Sequence, residues 1–271
     1  MRKFAFGAAF LLLIAGIVGF ALRHLYLTRA IEADTGLPVL GSPSLLAMVF
    51  YAAFIIVLTF AISFVVSRRF SGKAEYRAII APVNPVYRTI TGAAAVLIFV
   101  SGVIGVVSAS IESKISYPVL IRAILLLLTG ISLIGLAHEG SGKKALRGAY
   151  AFSIIPEIAM TFWLLFYYRS TQMNPTILSY VFFALALAAS AFAFYFTAAY
   201  VYGRKAPLRF IFSHSVAVCF LIMSLADDIA LRDKLCFIGL ALYFIVNLTH
   251  FIGNLAPQER KLRGVLMEEK I

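Results

Sequence analysis

The chain has 271 residues, of which 62% are hydrophobic and 13% charged, against roughly 25% charged in an ordinary soluble domain. A water-soluble fold of this length cannot hide so much apolar surface in one core, so lipid must cover the rest. The net charge of +12 lies in short clusters between apolar runs, which orient membrane helices and meet anionic lipid; nucleic acid is excluded as a partner.

No stretch is polar enough for a soluble domain. Residues 1–271 read as one polytopic membrane domain, an all-α bundle of eight transmembrane helices. A helix needs about 20 apolar residues to cross the hydrocarbon. Eight runs qualify: 4–22, 44–66, 90–110, 118–138, 148–168, 176–202, 208–226 and 235–255. They are continuous rather than alternating, which argues against strands.

The first run follows Arg2 and Lys3, as in a signal peptide, but Arg23-His24-Leu25-Tyr26 offers no small-residue cleavage site. It reads as a retained helix. The connection 28–43 is rich in turn residues, with Gly36, Pro38, Gly41 and Pro43, and can cap an external mouth. The second long connection, 67–89, carries Pro82 and Pro85 and room for a short surface helix at 73–80. In the third span Ser101, Gly105 and Ala109 recur every four residues, a small-residue face that lets a neighbouring helix approach closely. The fourth begins near Arg122 and ends at His138-Glu139. Arg122 is expected to snorkel or to pair with Glu112 or Asp227-Asp228.

Glu157 stands in the middle of the fifth span, directly after Pro156. Proline removes a backbone donor and opens the helix locally. A carboxylate beside that opening can take a proton or a cation, or can simply join helices. The sixth span is crowded with aromatics such as Phe182, Phe194 and Tyr195, which serve as interface anchors or core. His214, flanked by Ser213 and Ser215, sits two turns into the seventh. In the eighth, Tyr243, Asn247, His250 and Asn254 fall at i, i+4, i+7 and i+11, one polar face on an otherwise apolar helix. Such a face must meet protein or a wet cavity. Cys219 and Cys236 read as buried apolar side chains, without metal-type spacing or a disulfide framework.

Orientation follows from the basic residues. With the N-terminus inside, the inside segments hold seventeen of the 24 Lys and Arg, the outside segments six, and Arg122 lies within a span. The bias predicts eight crossings with both termini cytoplasmic, in a cytoplasmic (plasma) membrane. Three of the four histidines then lie in the inner half, while Asp227, Asp228 and Asp233 make an acidic outer rim. Arg122 precedes His138 by sixteen residues, and Lys234 precedes His250 by the same sixteen, which suggests a weak parallel 4+4 repeat.

If the bundle brings them together, His138, His214 and His250 with Glu139 or Glu157 have the ligand types of a metal site or a proton relay. No pair has HxxxH spacing, so every ligand would come from a separate helix. Asp34-Thr35-Gly36 lacks the second copy of an aspartic protease, and Gly140-Ser141-Gly142-Lys143-Lys144 lacks the spacing of a phosphate loop. Phe210-Ile-Phe-Ser-His214 and His250-Phe-Ile-Gly-Asn254 resemble the FxxxH and HxxxN elements of CAAX-protease-like membrane enzymes. Their paired-glutamate motif EExxxR has no counterpart: Glu157 is single and has no arginine four residues on. About ten residues of degenerate pattern do not assign that family.

The first functional reading is a transporter or channel-like protein for a small solute or ion. Glu157, His214, Tyr243, Asn247, His250 and Asn254 would be its polar lining. The second is a membrane-embedded enzyme, metal-dependent or not, built on the same histidines and Glu157. The third is a non-catalytic subunit that anchors or regulates a membrane partner or a second copy of itself. The sequence names no cofactor.

Overall fold

The computed structural model describes residues 2–32, 37, 39, 41–69, 85–111, 116–139, 146–171 and 177–255. These residues form eight helices: α1 (Arg2–Arg29), α2 (Pro43–Arg69), α3 (Pro85–Ile111), α4 (Tyr117–Glu139), α5 (Leu146–Thr171), α6 (Ile177–Val201), α7 (Pro207–Ser224) and α8 (Leu231–Asn254). Each is long and apolar enough to cross a bilayer. The chain is an all-α integral membrane protein. Helices are the solution lipid demands, because a spanning segment must satisfy its own backbone.

The helices begin and end where local chemistry directs. Pro43, Pro85 and Pro207 open α2, α3 and α7; proline at the first helical position gives up an N–H that has no partner there anyway. After α6, Gly203 takes φ 80°, Gly203 N–H donates to the Tyr200 carbonyl and Arg204 N–H to the Ala199 carbonyl. That is a Schellman motif, and its left-handed residue favours glycine. Several expected boundaries shift. α1 runs on to Arg29 rather than ending at 22, α3 starts at Pro85 rather than 90, α7 stops at Ser224, and α8 starts at Leu231. In the connection after α1, Val39 N–H donates to the Ala30 carbonyl and Glu32 N–H to that of Leu37, so it folds back on itself. The surface helix expected at 73–80 lies outside the described residues.

α7 and α8 form the centre. Some 72% of α7's spanning window and 61% of α8's are buried, against 17% for α2. α3, α4, α5 and α6 pack in succession, with α3 on α8 and α6 on α7; α1 lies on α7 and α8, and α2 on α1 and α7. Phe6, Phe10, Phe50 and Phe54 face outward from α1 and α2, as lipid-facing positions do. α1 and α7 run parallel and in register: a Cβ on Gly16 would meet Ile222 and one on Gly19 would meet Met223, and Arg23 reaches Asp227.

The small-residue face of α3 is buried, as expected, at Ser101, Gly105 and Ala109. A Cβ on neighbouring Gly102 would stand 2.9 Å from the Leu127 backbone nitrogen of α4. On the other side, a Cβ on Gly239 of α8 would stand 2.8 Å from the Ala94 carbonyl of α3. Gly239→Ala must therefore push α3 and α8 apart. It is expected to destabilise the purified protein by about 1–3 kcal/mol, the usual cost of overpacking, in a denaturation titration.

The neighbours do not follow a 4+4 repeat. α1 packs on α7, yet among the described residues the equivalent pair, α5 with α3, is not in close contact. The shared sixteen-residue spacings do not reflect equivalent packing.

Candidate functional site

The described ends of the bundle differ in chemistry. One end, with Arg68, Arg88, Arg204, Lys205 and Arg209, closes α2, α6 and α8 and opens α3 and α7; we call it the basic end. The opposite end holds the α7–α8 turn.

About two turns in from the basic end lies a buried chain of polar side chains. His214 of α7 and Asn247 of α8 are both 0% exposed. The His214 ring stacks on Phe210 at 3.9 Å between centroids and meets Phe244 edge-on at 5.3 Å. Its Nδ1 is 2.8 Å from the Phe210 carbonyl. A carbonyl only accepts, so Nδ1 carries the proton of the neutral ring and Nε2 is an acceptor. The Asn247 amide nitrogen donates to it at 3.4 Å, and the Thr197 hydroxyl of α6, which donates to the Ala193 carbonyl, lies 3.3 Å away. The Asn247 oxygen in turn accepts from the Tyr87 hydroxyl of α3 at 3.0 Å. Every donor therefore points the same way, from Tyr87 through Asn247 and His214 to the backbone of α7.

The chain continues towards the surface. The Tyr87 ring lies 4.5 Å from that of His250, which is half-buried. The exposed Asn254 places its amide nitrogen 3.2 Å from His250 Nε2. Side chains from α3, α6, α7 and α8 thus line up from an exposed amide to a fully buried imidazole.

The four-residue stripe on α8 is split by this packing. Asn247, His250 and Asn254 belong to the chain. Tyr243 is buried among rings, 5.6 Å from Phe194 and 5.5 Å from Phe244. Glu157 is also apart. It lies half-buried on α5, which packs against α4 and α6, and among the described residues no side chain pairs with its carboxylate. Pro156 beside it withholds the donor that the Phe152 carbonyl would otherwise receive.

The three histidines do not converge. His138 is exposed at the end of α4, its Nδ1 3.0 Å from the Ile134 carbonyl, on a helix that packs against α3 and α5 rather than α7. Among the described residues no three His, Cys, Asp or Glu side chains gather as metal ligands. Cys219 and Cys236 are free and buried, as read from the sequence.

The opposite end holds two ion pairs that sequence reasoning assigned wrongly. Asp227 and Asp233 are buried rather than a solvated rim; Asp228 alone of the three is exposed. The Nε of Arg23, itself 0% exposed, donates to Asp227 Oδ1 at 2.7 Å. Its guanidinium lies over the Phe182 ring at 4.8 Å and the Tyr26 ring at 5.2 Å. Burial pushes the Asp227 carboxyl above its ordinary range, against the downward pull of Arg23. Arg122 is buried rather than snorkelling, and among the described residues it pairs with neither Asp227 nor Asp228; Glu112 lies outside the described residues. Its Nη2 lies 3.4 Å from Asp233 Oδ1, and its guanidinium is 4.8 Å from the Trp163 ring.

No family model, no curated protein and no solved structure matches the chain. The site must speak through its own geometry.

Sequence reasoning missed Tyr87, Thr197 and Arg23. Tyr87 lies before 90, where the continuous apolar run begins, so apolar content alone leaves it in the connection. Arg23 carried a usable signal: Gly16, Gly19 and Arg23 share the α1 face that α7 covers.

Proposed function

We propose that the protein moves a small solute or ion across the bilayer, and that the chain from His250 to His214 is the polar part of its path at the basic end. The same reading makes that end cytoplasmic, in keeping with the positive-inside bias. The supporting observation is the line of polar side chains running from exposed Asn254 to fully buried His214 through four helices. Burying polar groups within a membrane bundle is costly, and they tend to mark solute paths. The fixed tautomer gives the path a defined polarity, with an imidazole acceptor facing the Asn247 amide. Glu157 is proposed as the carboxylate that couples a proton or cation to the movement. Tyr243 contributes ring surface beside the path.

The test is flux into proteoliposomes holding the purified full chain, with imposed gradients of H+, Na+, K+, chloride and acetate. One of them is expected to cross faster than in protein-free vesicles, with the rate falling in Glu157→Gln. Rates equal to those of empty vesicles for all five would sink this reading.

A second reading draws on Glu157. It is half-buried on a helix whose Ile158, Leu165 and Tyr168 are exposed. A carboxylate there fits a basic side chain of a membrane partner or a second copy of the chain. Co-purification that is lost in Glu157→Gln, with no flux, supports that role. An enzyme finds less support: both ring nitrogens of His214 are engaged, and among the described residues no carboxylate or thiol bonds to the ring.

A further inference from the structure

The seam between α3 and α8 carries polar groups on both sides of one tight point. Tyr87, Thr91, Ala94, Ile98 and Ser101 follow one another on α3 in alternate steps of four and three, which keeps them on one helical face. All five are buried. That face meets α8 at three levels. Tyr87 reaches Asn247 and His250. One step further in, the Ala94 carbonyl oxygen and Ile98 Cγ1 both stand 2.8 Å from where a Cβ on Gly239 would be. Beyond that, Ser101 stands beside the Cys236 thiol. Thr91 lies between the first level and the second.

Thr91 and Ser101 are each 1% exposed, and among the described residues neither hydroxyl has a hydrogen-bond partner. Other hydroxyls in the bundle satisfy themselves locally. Thr59, Ser63, Thr129, Ser190 and Thr197 each donate to the carbonyl four residues back. The two on α3 forgo that bond, although buried donors are normally paired. A thiol is a poor substitute, and the apolar side chains of the seam offer none. Water, or the polar part of a small solute, satisfies both hydroxyls.

We infer that a water-accessible path follows the α3–α8 seam beyond the His214 chain. Thr91 is its hydrogen-bonding station on the basic side, and Ser101 its station on the far side. Between them the seam is closed where Gly239 packs on the Ala94 carbonyl, an approach that only a residue without a Cβ permits. The inference rests on reading the chain from His250 to His214 as a path, and carries that path towards Arg122 and Asp233. Access to the seam without flux would fail the transport reading alone, and flux without access would fail this inference alone.

Single cysteines read access directly, in full-length chain with Cys219 and Cys236 replaced by alanine. Thr91→Cys and Ser101→Cys exchange one small side chain for another of like shape. Ile98→Cys probes the closed point between them, and Val96→Cys, at a position 53% exposed on the lipid-facing side, gives the rate in hydrocarbon. The proteins are placed in phosphatidylcholine nanodiscs, treated with 2-aminoethyl methanethiosulfonate and followed by mass. Thr91→Cys and Ser101→Cys are expected to react at least about tenfold faster than Ile98→Cys and Val96→Cys, because a thiol must ionise to react and a thiol shielded from water does not. A rate at either hydroxyl position no faster than that of Val96→Cys overturns the proposal, and so does an Ile98→Cys as fast as its two neighbours. Thr91→Val provides a check without a label. If the hydroxyl is hydrated, its removal leaves the thermal midpoint unchanged or lower. A raised midpoint would mean a dry orphan in a sealed seam, and would equally overturn the path.

Discussion

Asp227→Ala is expected to destabilise the bundle by about 3–5 kcal/mol, because removing the carboxylate of a buried pair leaves a charge in the interior that it no longer balances. The group that loses its carboxylate is Arg23, 0% exposed and enclosed by Tyr26 and Phe182. It projects from α1, where it cannot reach water without unpacking that helix from α7. An exposed pair would be worth only about 0–1 kcal/mol, so the size of the loss discriminates between the two situations. The double substitution Arg23→Met with Asp227→Leu is expected to recover most of the loss, since apolar replacements of a buried pair are often neutral. Denaturation titrations of the two single variants and the double variant measure this. Single losses under about 1 kcal/mol would mean that the pair is solvated.

The second large effect concerns Asn247. Asn247→Leu removes the donor to His214 Nε2 and the acceptor for Tyr87. Interhelical hydrogen bonds in membranes average only about 0.6 kcal/mol, and losing these two is expected to cost about 1–2 kcal/mol. Flux is expected to fall at least about tenfold, equivalent to 1.4 kcal/mol in the barrier, because the path loses its only amide between the two imidazoles. Thermal denaturation and vesicle flux on one preparation separate the two effects. A stable Asn247→Leu protein with unchanged flux would remove the chain from the path.

The two ends of the bundle show how far sequence reaches. Eight crossings were legible because lipid imposes one rule, a long apolar run that satisfies its own backbone, and that rule is local. The stripe on α8 was legible too, since helical period alone places Asn247, His250 and Asn254 on one face. Its partners were not. Tyr87 and His214 are distant in sequence, and only the register of α3 and α7 against α8 brings them to Asn247. The ion pairs failed for the same reason. Arg23 finds Asp227 across 204 positions, and Arg122 finds Asp233 rather than Asp227, because the relation of α4 to α8 is a packing outcome. Charges near a span's end looked solvated from sequence alone. They pair inside the bundle instead, and the helices that carry them run on past the apolar runs, α1 to Arg29 and α8 back to Leu231.

The central claim is a bundle of eight crossings with its basic end, and so the His214 chain, facing the cytoplasm. Impermeant maleimide labelling of single cysteines tests it most directly, on full-length chain in intact cells with Cys219 and Cys236, both buried, replaced by alanine. Cysteines at Ser42 and at Asp228 are expected to label from outside. A cysteine at Gly203, between α6 and α7, is expected to label only after permeabilisation. Labelling of Gly203 in intact cells, with Ser42 and Asp228 protected, would invert the protein and contradict the account.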